Sequence, residues 1–98
     1  MLKFDYVRLW GPRLGMDVVT DLTLREIGLA AGRVLGRAVE VTDATHIGRD
    51  LAVDSLALMN IILELEDHFD ISIPLDRLAS VETAGDLSNL VTDLRSRA

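Results

Sequence analysis

The chain has no cysteine, two prolines and four aromatic residues among its 98 residues. Without cysteine it forms no disulfide and supplies no reactive thiol of its own, which fits a reducing compartment. The longest apolar runs, such as LALM and IIL, are far shorter than the roughly 20 residues that span a bilayer. Lys3, Asp5 and Arg8 interrupt the N-terminal residues, which therefore lack the apolar centre of a signal peptide. The sequence predicts a cytoplasmic protein.

Acidic residues are concentrated in the C-terminal part of the chain. Residues 1–37 contain six basic and four acidic side chains, whereas residues 38–98 contain four basic and twelve acidic ones. This distribution argues against nucleic acid as a ligand and favours partners with basic surfaces. With 49% hydrophobic residues, the chain suits one small domain with one core.

The dipeptide Gly11-Pro12 separates an N-terminal arm, residues 1–18, from a helical domain, residues 19–98. An aromatic arm is typical of a small helix or turn that covers a bundle, and a docking element for a partner shows the same pattern. If Met16 is the natural start, the arm has no function. Three of the four aromatic residues lie in the arm, namely Phe4, Tyr6 and Trp10.

Thr23 and Glu26 form a capping-box signature that predicts the start of the first helix. Arginines along it exclude insertion into a membrane. Its glycines fall four residues apart and share one face, which suggests close approach of a neighbouring element or no role at all. The apolar residues at helical spacing are Leu24, Ile27, Ala31, Val34, Leu35 and Ala38. The glycines are Gly28, Gly32 and Gly36.

A long connection, residues 39–54, follows the first helix. Its threonines, aspartates and glycine favour turns, and a loop of this length in a small domain is usually functional or anchored to the core. Three apolar side chains are placed to anchor it, namely Val41, Ile47 and Leu51.

The second predicted helix covers residues 55–69 and is apolar over more than half of its circumference, which indicates packing between several helices. A short helix follows Pro74, and the last helix follows the cap residues Thr83 and Asp86. The segment ISIP has no other strand to pair with. The prediction is an all-α four-helix bundle of three main helices and one short helix, with a long first loop. The apolar sector of the second helix comprises Leu58, Ile61, Ile62, Leu65 and Phe69, extended by Leu56, Met59 and Leu63.

Features of an enzyme are scarce. The two histidines, His46 and His68, have no metal-ligand motif around them, and no glycine-rich phosphate loop is present. Glu64 and His68 lie one helical turn apart, a spacing that is far more common for solvated pairs than for metal ligands. We predict neither a catalytic residue nor a metal site.

Ser55 stands out because of its position at the start of the second helix. Free backbone N–H groups and the helix dipole favour an anion there, so a phosphodiester on the serine hydroxyl would lie in a favourable field. Position alone favours a simpler role, because Asp54 and Ser55 are both ordinary N-cap residues.

The stretch DLAVDSLALMNIILELEDHFDISIP closely resembles the signature of the acyl carrier protein family, in which Asp-Ser-Leu opens the second helix of a four-helix bundle. The likeness extends over about residues 27–91, nearly all of the chain after the arm. The matching positions are Leu51, Asp54, Ser55, Leu56, Leu65, Glu66, Phe69, Ile73, Pro74, Thr83 and Asp86.

The resemblance implies that a transferase attaches 4′-phosphopantetheine from coenzyme A to Ser55, and that Asp54 and Leu56 frame the attachment site. The terminal thiol of this group carries the acyl chain as a thioester, which accounts for a carrier without cysteine. The implied partners are the phosphopantetheinyl transferase and acyl-loading, acyl-transfer or condensing enzymes with basic docking surfaces, and the carrier is expected to be a monomer. The implied partner face comprises Ala57, Asn60, Ile61, Glu64 and Asp67. The implied acyl-chain pocket, opened as the second helix parts from the last one, comprises Leu58, Ile62, Leu65 and Leu90.

Two departures from the family pattern lie close to Ser55. Carriers of fatty-acid synthesis usually have acids at the positions of Ala57 and Asn60, whereas acidity begins here only at Glu64. This difference predicts a specialised carrier that serves a dedicated pathway. Ala52 replaces the usual glycine of the turn before the serine.

Two other functions are considered. A peptidyl or aminoacyl carrier is less favoured, because peptidyl carriers prefer Gly-Gly-x-Ser where this chain has AVDS. A helical interaction domain without the prosthetic group would not need a serine at position 55. The sequence leaves the acyl cargo open.

Overall fold

The computed structural model describes the backbone of residues 12–97 and the side chains of residues 22–97. The chain forms three main helices and two short ones, and there is no strand within residues 12–97. The aromatic residues of the arm lie outside the described residues, so their role and the division at residue 18 stay predictions. The helices are α1 (Pro12–Leu35), α2 (Ile47–Leu51), α3 (Ser55–Phe69), α4 (Leu75–Leu78) and α5 (Ala84–Arg97).

The predicted start of the first helix is wrong. Helix α1 begins at Pro12, and Thr23 lies inside it with 1% of its surface exposed. A capping box can act only where the preceding chain is not helical. Proline at the first helical position is a common start, because its missing N–H has no partner within the helix anyway.

Helix α1 ends at Leu35, three residues earlier than its apolar pattern suggests. Gly36 follows with φ +73°, a left-handed conformation that glycine adopts without strain and that commonly ends helices. The predicted close approach occurs at Gly32, whereas the nearest contact at Gly28 has an ordinary van der Waals distance. A Cβ at Gly28 would lie 3.4 Å from the Val41 side chain, and one at Gly32 would lie 3.0 Å from the Arg37 carbonyl oxygen.

The core lies where α1 packs against both α3 and α5. Ile47 and Leu51, each 6% exposed, anchor the long connection in this core, and Val41 packs against it, as the sequence predicts. The other fully buried apolar residues at its centre are Ile27, Ala30, Ala31, Ile61, Ile62, Leu65, Ala84, Leu87 and Val91.

The short helix α2 is absent from the sequence-based prediction. His46 caps it by accepting the Arg49 N–H at Nδ1 (2.9 Å), while Asp50 Oδ2 accepts the His46 N–H (2.8 Å). This arrangement resembles a capping box, with histidine in the place of serine or threonine and with the returning carboxylate one residue further along the helix. A five-residue helix is too short for hydrophobic periodicity to reveal it.

The connection is fastened to the start of α5 by backbone hydrogen bonds. The Ile47 N–H donates to the Glu82 carbonyl (2.9 Å), the Ala84 N–H to Thr45 (2.8 Å), and the Gly85 N–H to Asp43 (2.9 Å). A Cβ at Gly85 would lie 2.6 Å from the Asp43 carbonyl oxygen, so only glycine permits this approach. The orientation of α2 therefore depends on α5.

The predicted cap of the last helix is confirmed. Asp86 Oδ2 accepts the N–H groups of Glu82 (3.0 Å) and Thr83 (3.1 Å), and Thr83 Oγ1 accepts the Asp86 N–H (3.0 Å). The bonds from Glu82 and then Thr83 lower the pKa of Asp86 below its ordinary value. Because its pKa is lower in the folded than in the unfolded chain, ionised Asp86 stabilises the fold at pH values above the ordinary carboxyl range. This stabilisation is lost as the pH falls through the folded-state pKa.

We expect Asp86→Asn to lower the free energy of unfolding at pH 7, because the substitution removes the charged acceptor. The difference from the natural protein should shrink as the pH falls below the ordinary carboxyl range and Asp86 becomes protonated. Urea unfolding followed by circular dichroism across this range measures the difference. Asp76→Asn, at an exposed carboxylate of α4, is the control and should show a smaller change. A difference that widens towards acid pH would contradict the expectation.

Candidate functional site

Ser55 is the first residue of α3 and its side chain is exposed. The N-cap is Asp54, whose Oδ1 accepts the Ala57 N–H at 2.8 Å, and the Asp54 carbonyl accepts the Leu58 N–H at 2.9 Å. In the described part of the chain, no hydrogen bond engages the Ser55 hydroxyl. Capping is therefore the task of Asp54, and Ser55 presents a free hydroxyl at a helix N-terminus, where an anion is favoured.

A tight turn joins α2 to α3 and sets the position of this hydroxyl. Ala52 ends α2 with φ 56° and ψ 42°, the left-handed region in which the family usually has glycine. The Arg37 guanidinium donates from Nη2 to the Leu51 carbonyl at 3.0 Å, which ties the end of α2 to the chain beyond α1. The turn is thus constrained at its α2 end by Arg37 and at its α3 end by the Asp54 cap.

A groove of about 220 Å³ opens beside Ser55, and we call it the Ser55 groove. Apolar side chains from α2, α3 and the segment before α5 form most of its surface, and polar groups lie among them. The lining residues are His46, Ile47, Gly48, Val53, Asp54, Ser55, Leu58, Val81 and Glu82.

The outer face of α3 carries an exposed apolar stripe. Leu56 is 72% exposed, Leu63 57% and Met59 38%, at positions that share one side of the helix. The expectation that these three residues extend the packed sector is wrong. Helix α3 packs on α1 and the core along one side only, so its other side faces solvent.

Four of the five residues of the predicted partner face are at least partly exposed, and partner binding at this face stays a prediction. Asn60 and Asp67 are exposed, and Ala57 and Glu64 are partly exposed. Ile61 is only 2% exposed and belongs to the core beside Ile62 and Leu65, so its assignment to this face is corrected. Its position on the helix places it on the inner side of α3.

Glu64 and His68 contact α1 instead of each other. Arg33 Nε lies 2.8 Å from Glu64 Oε1, and His68 Nε2 lies 3.4 Å from Glu26 Oε1. Among the described side chains, those of residues 22–97, no group of three or more potential metal ligands occurs. Glu64, the first acid on the partner face, therefore already has a positive partner.

Of the four predicted pocket residues, only Leu58 lines the Ser55 groove. Ile62, Leu65 and Leu90 are at most 5% exposed and form part of the continuous core. Whether α3 and α5 part to admit an acyl chain stays a prediction. The groove residues Val53 and Val81 were missed, because no sequence spacing connects two loops that meet only through tertiary contacts.

A family model and a solved structure show which class of protein this chain resembles. Residues 25–91 match the family described as "Phosphopantetheine attachment site". The solution structure of the holo acyl carrier protein of Geobacter metallireducens superimposes with a TM-score of 0.68 at 32% identity, covering 76% of this chain and 87% of that one.

Curated relatives agree with the structural likeness. A Caulobacter vibrioides protein named "Probable acyl carrier protein" is 82% identical over 83 residues, which is 85% of this chain and 96% of that protein. An acyl carrier protein of Amoebophilus asiaticus is 30% identical over 67 residues, 68% of this chain and 84% of that one. The chain belongs to the acyl carrier protein family. It is a carrier with a phosphopantetheine prosthetic group and not an enzyme.

Ala52→Gly tests the strain in the turn before Ser55. A left-handed conformation costs a non-glycine residue roughly 1–2 kcal/mol, part of which the greater freedom of glycine in the unfolded chain offsets. We expect the free energy of unfolding to rise by about 0.5–1 kcal/mol, measured by urea unfolding. Ala79→Gly is the control, because Ala79 is exposed with φ −61° and glycine should not stabilise it. An unchanged or lower stability of Ala52→Gly would contradict the expectation.

Proposed function

We propose that Ser55 bears the 4′-phosphopantetheine group, donated by coenzyme A through a phosphopantetheinyl transferase. The observation that carries this proposal is the free, exposed Ser55 hydroxyl at the start of α3, with the capping role taken by Asp54. A serine that had to cap the helix would have its hydroxyl occupied by the backbone.

The residues around Ser55 fit a phosphodiester. Asp54 already satisfies the Ala57 N–H, whereas the first N–H groups of α3 have no partner within the helix. These N–H groups and the helix dipole favour a negative group on the serine oxygen. The prosthetic group supplies a terminal thiol that holds an acyl chain as a thioester. The chain's own contribution is to hold Ser55 exposed in a constrained turn and to offer the adjacent groove.

Members of this family interact with transferases and acyl-handling enzymes. We propose that the docking surface here combines the apolar stripe of Leu56, Met59 and Leu63 with the neutral positions Ala57 and Asn60. Because Arg33 offsets Glu64 and residues 55–63 are uncharged, the part of α3 that follows Ser55 offers little negative charge to a basic partner. The carrier therefore serves a dedicated pathway of lipid or related acyl biosynthesis in preference to bulk fatty-acid synthesis.

A cytoplasmic location is part of this proposal. No helix within the described residues has the length and hydropathy needed to cross a membrane. The two alternatives, a peptidyl or aminoacyl carrier and a helical domain without the prosthetic group, differ from it in cargo and in modification. Identification of the thioester-bound group on protein isolated from its own cells tests the first alternative, because a peptidyl or aminoacyl carrier would hold an amino acid or peptide.

Mass spectrometry tests the attachment site. After incubation with coenzyme A and a broad-specificity phosphopantetheinyl transferase, the natural protein should gain the mass of one phosphopantetheinyl group. Ser55→Ala should gain none, whereas Ser80→Ala, at another exposed serine, should be modified normally. Absence of a mass gain in the natural protein would favour a helical domain without the group.

A double substitution tests the neutral docking surface. Asn60→Glu with Ala57→Asp adds two acids next to Ser55, and we expect roughly a tenfold rise in kcat/KM with a general fatty-acid acyltransferase at low salt. The rise should disappear at high ionic strength. Ala79→Asp with Ser80→Glu changes the net charge equally at exposed positions near α4 and should have little effect. No rise with the first variant would argue against a dedicated pathway set by these positions.

A further inference from the structure

The Ser55 groove has polar groups beside an apolar surface. Leu58 and Val81 are among its apolar lining residues, and His46 and Glu82 are among its polar ones. Its volume of about 220 Å³ is smaller than the roughly 300–1,000 Å³ of sites for drug-sized molecules. The groove therefore suits a short chain that carries both polar and apolar groups.

The hydrogen bonding of His46 determines which of its nitrogens can donate. Nδ1 accepts the Arg49 N–H at 2.9 Å, so it carries no proton, and the proton of the neutral ring lies on Nε2. Among the side chains of residues 22–97 and the backbone of residues 12–97, no hydrogen bond occupies this Nε2–H. His46, a lining residue of the groove, therefore has an unused donor.

The ring of His46 is also held in place before any ligand arrives. The backbone N–H of His46 donates to Asp50 Oδ2 at 2.8 Å, and the His46 backbone forms an antiparallel bridge with Thr83. Because the ring itself caps α2, its rotation is restricted as well. A donor that is already ordered costs little conformational entropy when it binds.

We infer that His46 is a positioning residue for the chain tethered at Ser55, with its Nε2–H donating to an amide carbonyl in the first part of the phosphopantetheine arm. The inference rests on the proposed attachment at Ser55. Amide groups separated by short alkyl segments match this groove, because carbonyl oxygens meet the His46 donor and alkyl carbons meet Leu58 and Val81. The function of His46 is to direct the arm along the groove next to α2 and away from the stripe used for docking.

Solution NMR of the apo and holo proteins tests the inference. Conversion to the holo form should move the His46 Nε2 resonance and the backbone amides of Gly48 and Glu82. His46→Ser keeps a capping oxygen for α2 but removes the ring, and it should reduce the shift changes at Glu82 by at least half. His68→Ser is the matched control, since His68 lies on the side of α3 that contacts Glu26. It should leave the pattern unchanged.

Two outcomes would overturn the inference. One is a holo spectrum that differs from the apo spectrum only at residues 54–56, and the other is an unchanged shift pattern in His46→Ser. The comparison of the natural apo and holo proteins needs no variant, so the test holds even if His46→Ser does not fold. Mass spectrometry of each holo sample separates the two proposals: a mass gain without groove shifts contradicts only the role of His46, whereas no mass gain contradicts attachment at Ser55.

Discussion

The geometry of the site depends on the attachment of the long connection to the first turn of α5. Three backbone hydrogen bonds cross between them, from Ile47 to Glu82, from Ala84 to Thr45 and from Gly85 to Asp43. They orient α2, which is too short to be stable alone. Helix α2 leads directly into the turn before Ser55. The position of the Ser55 hydroxyl therefore depends on hydrogen bonds to a segment that lies more than 25 residues further along the chain.

At Ser55, capping of the helix and the proposed attachment of phosphopantetheine would compete for the same oxygen. The structure resolves this competition by giving the cap to Asp54, whose carboxylate accepts the Ala57 N–H. The remaining N–H groups of the helix start, together with the dipole, are free to act on a phosphodiester. Asp54 therefore stabilises the start of α3, while the adjacent Ser55 keeps its hydroxyl exposed.

Much of the bundle is predictable because its periodic signals are long. The bounds of α3, the cap of α5 and the anchoring of Ile47 and Leu51 all follow from local pattern and capping chemistry. The start of α1 was mispredicted because Thr23 and Glu26 satisfy a local rule in a segment that is already helical. Periodicity gives the direction of each side chain from its helix axis, but it does not say how far the neighbouring helices reach, as Leu56 and Leu63 show.

The sequence by itself determined the class of fold and the position of Ser55 at a helix start, because helical period and cap residues are local properties of consecutive residues. Only the tertiary structure decided that Ile61 is buried while Leu56 and Leu63 are exposed, and that Arg33 already pairs with Glu64. The Ser55 groove likewise exists only because α2, α3 and the segment before α5 meet in space. Contacts between residues far apart in the chain depend on how whole elements pack, and no local pattern encodes them.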